Sequence, residues 1–388
     1  MSADYKKNEE LSAEQHAEVM ADFIAQGEQK AMALGNRGPA RFDKDGNLHP
    51  EIMEKYWECG FYVFENFLSE DELSGLRVAV DRLLETAPIN PETTLNKAGD
   101  VVDLSGYAKP PFRYAKPLSD PLGGTTQNKG RHPVKMQQVQ VAEGAPDYTI
   151  NFLDGTLHLM DEALWLYGHP SLLKIAEAVT GPDFVPYNEV AFIKEAGLGP
   201  AVAWHQDGTT HWNAADWNEG AHGFNSMTQL YPSTAGNCVW VIPGSHKSGK
   251  VDIPALVEKN GSDRFEEAVP MLCKGGEMII MNRQIVHGSY ANSSPARRVT
   301  MNAGFFPRER ILDVTTEKLN GDLDTYTEKR VEERSRIIPL AVSARQQQFP
   351  EEVPYEYAPL QRSEEDLEWS DENRRNILFN YNRQDMYI

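Results

Sequence analysis

Residues 202–212 read V-A-W-H-Q-D-G-T-T-H-W and place His205 and Asp207 two positions apart. In a strand over residues 202–207, side chains two apart share a face, so an imidazole and a carboxylate converge from one strand. Two such groups can supply two ligands to one metal ion. A third must then come from a distant part of the chain. A fold that meets this demand brings remote strands face to face.

The sequence is patterned for that. From residue 185 to 307 it shows short β-favouring runs separated by turn signals, the mark of a sandwich or barrel. Strands are expected at 185–194, 228–231, 238–242, 277–281 and 299–306. Two more are expected at 60–64 and at 135–141 (K-M-Q-Q-V-Q-V). Helices are expected within residues 1–35, where Met20, Phe23 and Ile24 give an apolar face, and at 50–59 and 170–181. Leu68-Ser69-Glu70-Asp71-Glu72-Leu73 has the form of a capping box with a hydrophobic staple, opening a helix with Leu73, Leu76 and Val80 on its buried stripe. Residues 88–130 are rich in Pro, Gly, Asp and Lys with little periodicity, too long for a plain connection and suited to covering a site. The tail from Arg310 is charged and partly helical, and residues 339–360 are punctuated by proline.

Composition narrows the partners. The chain of 388 residues carries 38 basic and 58 acidic side chains, a net charge of -20, which argues against a nucleic-acid or anionic-membrane surface. No segment is apolar for long enough to span a bilayer, and the charged N-terminus lacks a secretory signal. Cys59, Cys238 and Cys273 are widely spaced, so neither a disulfide scaffold nor a zinc ribbon is indicated. These features lead us to expect a protein of the reducing cytoplasm.

The candidate third ligand is His287, which follows the apolar run Met278-Ile279-Ile280-Met281. Two histidines and one carboxylate make a facial triad suited to iron(II), with one face open to oxygen and a co-substrate. Three protein ligands also suit catalytic zinc, so the ligand set alone does not choose the metal. Eleven positions on, Arg298 opens R-V-T-M-N-A-G-F, where alternation separates Arg298, Thr300 and Asn302 from Val299, Met301, Ala303 and Phe305. A polar face carrying one arginine fits the interior of a ligand-holding barrel, where a guanidinium can grip a carboxylate bidentately.

Taken in order, G-F-Y-V-F-E-N-F-L-S-E-D-E-L, F-I-K-E-A-G, W-H-Q-D-G, V-I-P-G-S-H-K-S-G and H-G-S-Y-A-N-S-S-P-A-R-R span about residues 60–306. In this the chain resembles the phytanoyl-CoA dioxygenase family of iron(II)- and 2-oxoglutarate-dependent oxygenases. The resemblance implies a mainly β (α+β) fold, a double-stranded β-helix or jelly-roll barrel with helices on one face. It implies His205, Asp207 and His287 as iron ligands, Arg298 as the anchor of the distal carboxylate of 2-oxoglutarate, and Ser289 as an assisting hydroxyl. His246, in P-G-S-H, is expected to be structural. A carboxylate at Asp207 favours hydroxylation over halogenation, since related halogenases have Ala or Gly there.

The expected organisation is an N-terminal helical extension (1–59), an oxygenase domain (60–309) with the long loop at about 88–130, and a C-terminal extension (310–388) packed on the barrel. The extensions would serve as a dimer contact or as part of a lid. Substrate contacts are expected from Asn188, His211 and Trp212, with Trp204 and Trp217 nearby as pocket wall or core. Arg113, Lys116 and Arg131 are available for an acidic substrate. The expected substrate is a small metabolite, with hydroxylation preferred and desaturation, ring closure or epimerisation as further outcomes. A zinc hydrolase and a non-catalytic cupin-like binding module are the competing classes. The turn Thr234-Ala235-Gly236-Asn237-Cys238 departs from the family's usual Asn-Gly order, which leaves its register open.

Overall fold

A computed structural model describes residues 10–105, 110–207, 223–317, 323–360, 366–378 and 381. His211, Trp212 and Trp217 lie outside the described residues. The barrel strands are β1 Arg37–Gly38, β2 Phe61–Phe64, β3 Phe112–Ala115, β4 Thr149–Asp154, β5 Phe184–Lys194 and β6 Val202–His205. They continue with β7 Phe224–Gln229, β8 Trp240–Val241, β9 Val269–Pro270, β10 Met278–Asn282, β11 His287–Ser289 and β12 Arg298–Pro307. Eight form one sheet in the order β1-β2-β10-β7-β12-β5-β4-β3, and four form a second, β6-β11-β8-β9. The non-consecutive neighbours and largely antiparallel pairing are those of a double-stranded β-helix within an α+β chain.

Helices pack on both sheets. Helix α1 (Ala13–Ala33) lies on the small one, where Phe23 stacks on Trp240 with ring centroids 4.3 Å apart. The approach is close: a Cβ on Gly27 would lie 2.5 Å from the Trp240 ring. Helices α2 (Pro50–Cys59) and α3 (Glu70–Thr86) contribute Ile52, Tyr56, Leu73, Leu76 and Val80 to the core on the large sheet. Ser69 and Glu72 form the expected reciprocal capping box at the start of α3.

Strand β10 explains its own composition. Met278 and Ile280 face the helical layer, and Ile279 and Met281 face the space between the sheets, so both sides are apolar. Strand β12 alternates as expected: Val299, Met301, Ala303 and Phe305 join the helical layer, while Arg298 and Asn302 line the interior cavity.

Several expectations are corrected. Residues 135–141 form no strand but a single bridge, Leu11 with Val139. Their amides are taken by carboxylates: Met136 N–H donates to Asp120 Oδ2 (2.8 Å) and Gln137 N–H to Asp263 Oδ2 (2.7 Å). The strand expected at 228–231 starts earlier, at Phe224, because Asn225 and Ser226 are polar residues directed into the protein interior. The proline-punctuated region begins with a helix, Ile337–Gln348, that holds Pro339 in its first turn, where the missing N–H costs nothing. Residues 149–167, where the sequence predicts no element, supply β4 and the helices Thr156–Leu159 and Asp161–Tyr167. Among the described residues no helix is long and apolar enough to cross a membrane. All three cysteines are free and buried.

Burial holds three histidines neutral: it pushes His16, His169 and His246 down to about 4 from an ordinary 6.5, with nearby cations adding to the effect. The unfolded chain therefore binds more protons than the native one between pH 6.5 and about 4. Stability present above pH 6.5 should fall as the pH drops through that window, each histidine contributing a slope of up to about 1.4 kcal/mol per pH unit. Urea denaturation at a series of pH values checks this. A midpoint that holds steady from about pH 7 to about pH 4 would contradict it.

Candidate active site

The small sheet brings the two predicted imidazoles together. Strands β6 and β11 run antiparallel with His205 directly opposite His287, and their rings lie 4.1 Å apart between centroids. Asp207 follows two residues after β6, fixed by its N–H donating to the Arg283 carbonyl at 2.9 Å. One ligand atom from each of His205, Asp207 and His287 lies within 4.8 Å of the others, and all three residues are buried.

Backbone carbonyls set the tautomers. A carbonyl oxygen only accepts, so Nδ1 of His205 donates to Ala203 O (2.8 Å) and Nδ1 of His287 donates to Ile285 O (3.0 Å). Both Nε2 atoms are left as lone-pair donors, the form in which histidine binds a metal. Burial, with His205 next, pushes His287 down to about 3, so its ring stays neutral.

Asp207 is held the same way, from one side. Its Oδ2 accepts from Asn225 Nδ2 (2.7 Å), and Asn225 Oδ1 in turn accepts from Arg283 Nη1 (2.6 Å). Its Oδ1 has no hydrogen-bond partner and lies 3.5 Å from His205 Nε2 and 3.5 Å from Arg131 Nη1. Burial opposes ionisation, but the Arg283 guanidinium, with Arg131, holds the carboxyl well below the usual carboxylate range. A buried anionic oxygen without a hydrogen bond, beside two imidazole lone pairs, fits a cation. Replacing Asn225 with alanine should weaken metal binding by about 10- to 100-fold, since outer partners that orient a ligand carry effects of that size. Metal titration of the apoprotein reads this directly, and an unchanged affinity would remove Asn225 from that role.

Arg298 is 2% exposed and no carboxylate pairs with it among the described residues. Its Nη1 donates to the Asn237 carbonyl at 2.9 Å, and its Nε has no partner. Burial pulls it down to about 10, with Cys238 opposing, so it remains charged at neutral pH. The turn from Thr234 to Cys238 thus has a use: Thr234 N–H donates to Asn237 Oδ1 and Asn237 N–H to Thr234 O, which aims the Asn237 carbonyl at the guanidinium.

These residues line a cavity of about 220 Å³, together with Ser289 and Asn188. Both polar atoms of the Asn188 side chain are buried without a hydrogen-bond partner. The long loop and the residues just after it form one wall through Leu122, Gln127, Asn128, Arg131 and His132. Apolar wall comes from Phe152, Phe192, Met227, Val239 and Met281.

The sequence profile of the family described as phytanoyl-CoA dioxygenase (PhyH) matches residues 56–300. The chain belongs to this family. It is an iron(II)- and 2-oxoglutarate-dependent dioxygenase. Similar proteins include a phytanoyl-CoA dioxygenase of Arabidopsis thaliana, 24% identical over 267 residues, covering 65% of this chain and 87% of that one. Phytanoyl-CoA dioxygenase 1 of Oryza sativa subsp. japonica is 29% identical over 262 residues with the same coverage. Among solved structures, EctD from S. alaskensis with 2-oxoglutarate and 5-hydroxyectoine aligns with a TM-score of 0.47 at 18% identity, over 73% of this chain and 83% of that one.

Other residues singled out in the sequence of the dioxygenase fall outside its centre. Trp204 is fully buried, packs beside Phe265 and donates from Nε1 to Asp263 O (2.7 Å), so it is core. Lys116 is exposed and borders a separate outer hollow. Arg113 lines the cavity but is paired with Asp154 at 2.8 Å. His246 is structural, 3.0 Å from the Trp57 carbonyl and packed against Gly60.

Sequence reasoning missed His132, Asn225 and Arg283. His132 is buried with its ring 4.2 Å from His205, and neither ring nitrogen has a hydrogen-bond partner. Burial, followed by His205 and Arg131, pushes its pKa far down and keeps it neutral. It reaches the site from the irregular loop, where no periodicity marks it. Asn225 carried a faint signal, as a polar residue beside the apolar Phe224.

Proposed function

We propose that this dioxygenase hydroxylates a small organic metabolite, with release of succinate and carbon dioxide. In this reading His205, Asp207 and His287 are the iron ligands, and Arg298, assisted by Ser289, anchors 2-oxoglutarate. The observation that supports it is the pair of backbone-fixed tautomers, which leaves both Nε2 lone pairs available in a buried group where one ligand atom from each of His205, Asp207 and His287 lies within 4.8 Å of the others. Arg298 adds a buried cation with no carboxylate of its own among the described residues, which the distal carboxylate of 2-oxoglutarate would complete.

Iron(II) with 2-oxoglutarate and oxygen would supply the oxidising power that removes a hydrogen from the substrate. The chain's own residues orient and shield. His205 and His287 hold their lone pairs on the centre because their Nδ1 protons are committed to Ala203 O and Ile285 O. Asn225 keeps Oδ2 of Asp207 occupied and so presents Oδ1. Phe152, Phe192, Met227 and Met281 exclude water and would pack on the substrate's carbon skeleton. Asn188 is the substrate-contacting residue of this reading among those described, since its amide is otherwise unused. Residues 60–309 are read as the catalytic domain, with 1–59 and 310–388 as extensions packed on it, α1 on Trp240 and the 337–348 helix in the core of the large sheet.

The test is a screen of metabolite pools for substrate-stimulated succinate formation with iron(II), followed by mass analysis of the product. Gain of one oxygen atom supports hydroxylation; loss of two hydrogens means desaturation or ring closure, and unchanged mass with inverted stereochemistry means epimerisation. Recovery of activity by zinc and not by iron after chelation would overturn the reading altogether.

A further inference from the structure

We infer that the substrate carries a carboxylate, received by Arg283 and Asn188 on the Asp207 side of the cavity; this rests on the iron and 2-oxoglutarate reading of the centre. The first argument is charge. Arg131, Arg283 and Arg298 line the cavity and are each buried, whereas Asp207 is the only carboxylate among its described lining residues. A fourth guanidinium, Arg113, is answered by Asp154, and Asp207 lies between Arg131 and Arg283, so among the described lining residues positive charge exceeds negative. Iron(II) and the 2-oxoglutarate dianion cancel one another, so loading the centre leaves that excess in place. Buried charge is costly unless it is answered by an opposite charge with good hydrogen bonds.

The second argument is the geometry of Arg283. Its Nη1 is committed to Asn225, but Nε and Nη2 are buried with no hydrogen-bond partner. Those two atoms form the edge of the fork that grips a planar carboxylate with two parallel hydrogen bonds. Its plane is steadied by Tyr187 and Phe306, whose ring centroids lie 4.8 and 5.2 Å away. Asp207 Oδ2 is 3.9 Å from Nη1, and as a ligand Asp207 would share its charge with the metal.

The third is Asn188. Its amide sits so close to Gly304 that a Cβ there would lie 2.5 Å from Asn188 Oδ1, and 3.5 Å from Arg283 Nη1. Gly304 thus leaves room beside it for both the unused Asn188 amide and the Nη1 end of the Arg283 guanidinium. Such converging groups in a mostly apolar cavity are how small-molecule sites fix orientation. A chain with net charge -20 has placed positive charge inside this cavity. The structure assigns the substrate to small aliphatic or aromatic acids.

The experiment uses the full chain loaded with iron(II) under argon. It is titrated calorimetrically with 2-oxoglutarate, then with straight-chain and aromatic monocarboxylic acids and with the primary amides of the same acids. Wild type should bind its preferred acid at least about tenfold more tightly than the matching amide, the loss of one charge-assisted hydrogen bond. Arg283→Gln should bring the two within about threefold. Asn188→Ala leaves the partners of Asp207 in place; it should weaken the acid several-fold and serves if Arg283→Gln does not fold. Wild type that binds no acid, or binds amides equally well, overturns the inference, as does an unchanged preference in whichever variant folds. A wild-type protein that takes up no 2-oxoglutarate in the first titration fails differently, and it is then the reading of the centre that is wrong.

Discussion

Replacing Asp207 with alanine is expected to lower 2-oxoglutarate turnover by at least about a thousandfold, because a metal centre supplies several kcal/mol of the catalysis and each ~1.36 kcal/mol is tenfold in rate. The change removes the candidate anionic ligand and leaves Arg131 and Arg283, which lie 3.5 and 3.9 Å from it, facing one another's charge without an answer from this side chain. Iron affinity should fall with activity. His205→Ala removes one of the two Nε2 lone pairs and should do the same. The fold should survive both, since neither residue belongs to the apolar clusters that hold the sheets together. Iron content after gel filtration, read beside succinate formation and the circular dichroism spectrum, checks this. Retention of stoichiometric iron by Asp207→Ala would take that residue out of the ligand set.

The second large effect is expected at Arg298. Substitution by leucine should raise the KM for 2-oxoglutarate by about a hundredfold, the range for loss of one or two charge-assisted hydrogen bonds. Iron binding should be much less affected, since Arg298 is braced by Asn237 and not by any of the three candidate ligands. Arg298→Lys keeps the charge and loses the fork, so it should fall between the two. A KM that is unchanged in Arg298→Leu would mean that the co-substrate is anchored elsewhere.

Much of this centre was legible in the sequence because alternation is a local property. Arg298 on the polar side of a strand needed only the period of two to be placed, whereas the strand expected over 202–207 stops at His205, and Asp207 reaches the centre through its bond to the Arg283 carbonyl. The apolar run from Met278 to Met281 was equally plain, since a strand buried on both faces has no polar positions to confuse it. What failed was the part in which tertiary partners replace ladder partners. Residues 135–141 have strand composition, yet Asp120 and Asp263 take amides that a neighbouring strand would have taken. The start of β7 was hidden for the opposite reason, because Asn225 is polar for the sake of Asp207. His132 and Arg283 reach the cavity from an irregular loop and from the turn after β10. Nothing in their neighbours announces that destination.

The seat of α1 on the small sheet bears on how this protein can be cut down. The match to the family begins at residue 56, after α1 has ended. A chain trimmed to that boundary would strip Phe23 from Trp240, which forms part of β8, the strand that pairs directly with β11 and so with His287. The helix before the shared domain is therefore a buttress for the sheet that carries the two candidate histidine ligands. Family boundaries drawn from common sequence would here divide a single mechanical unit.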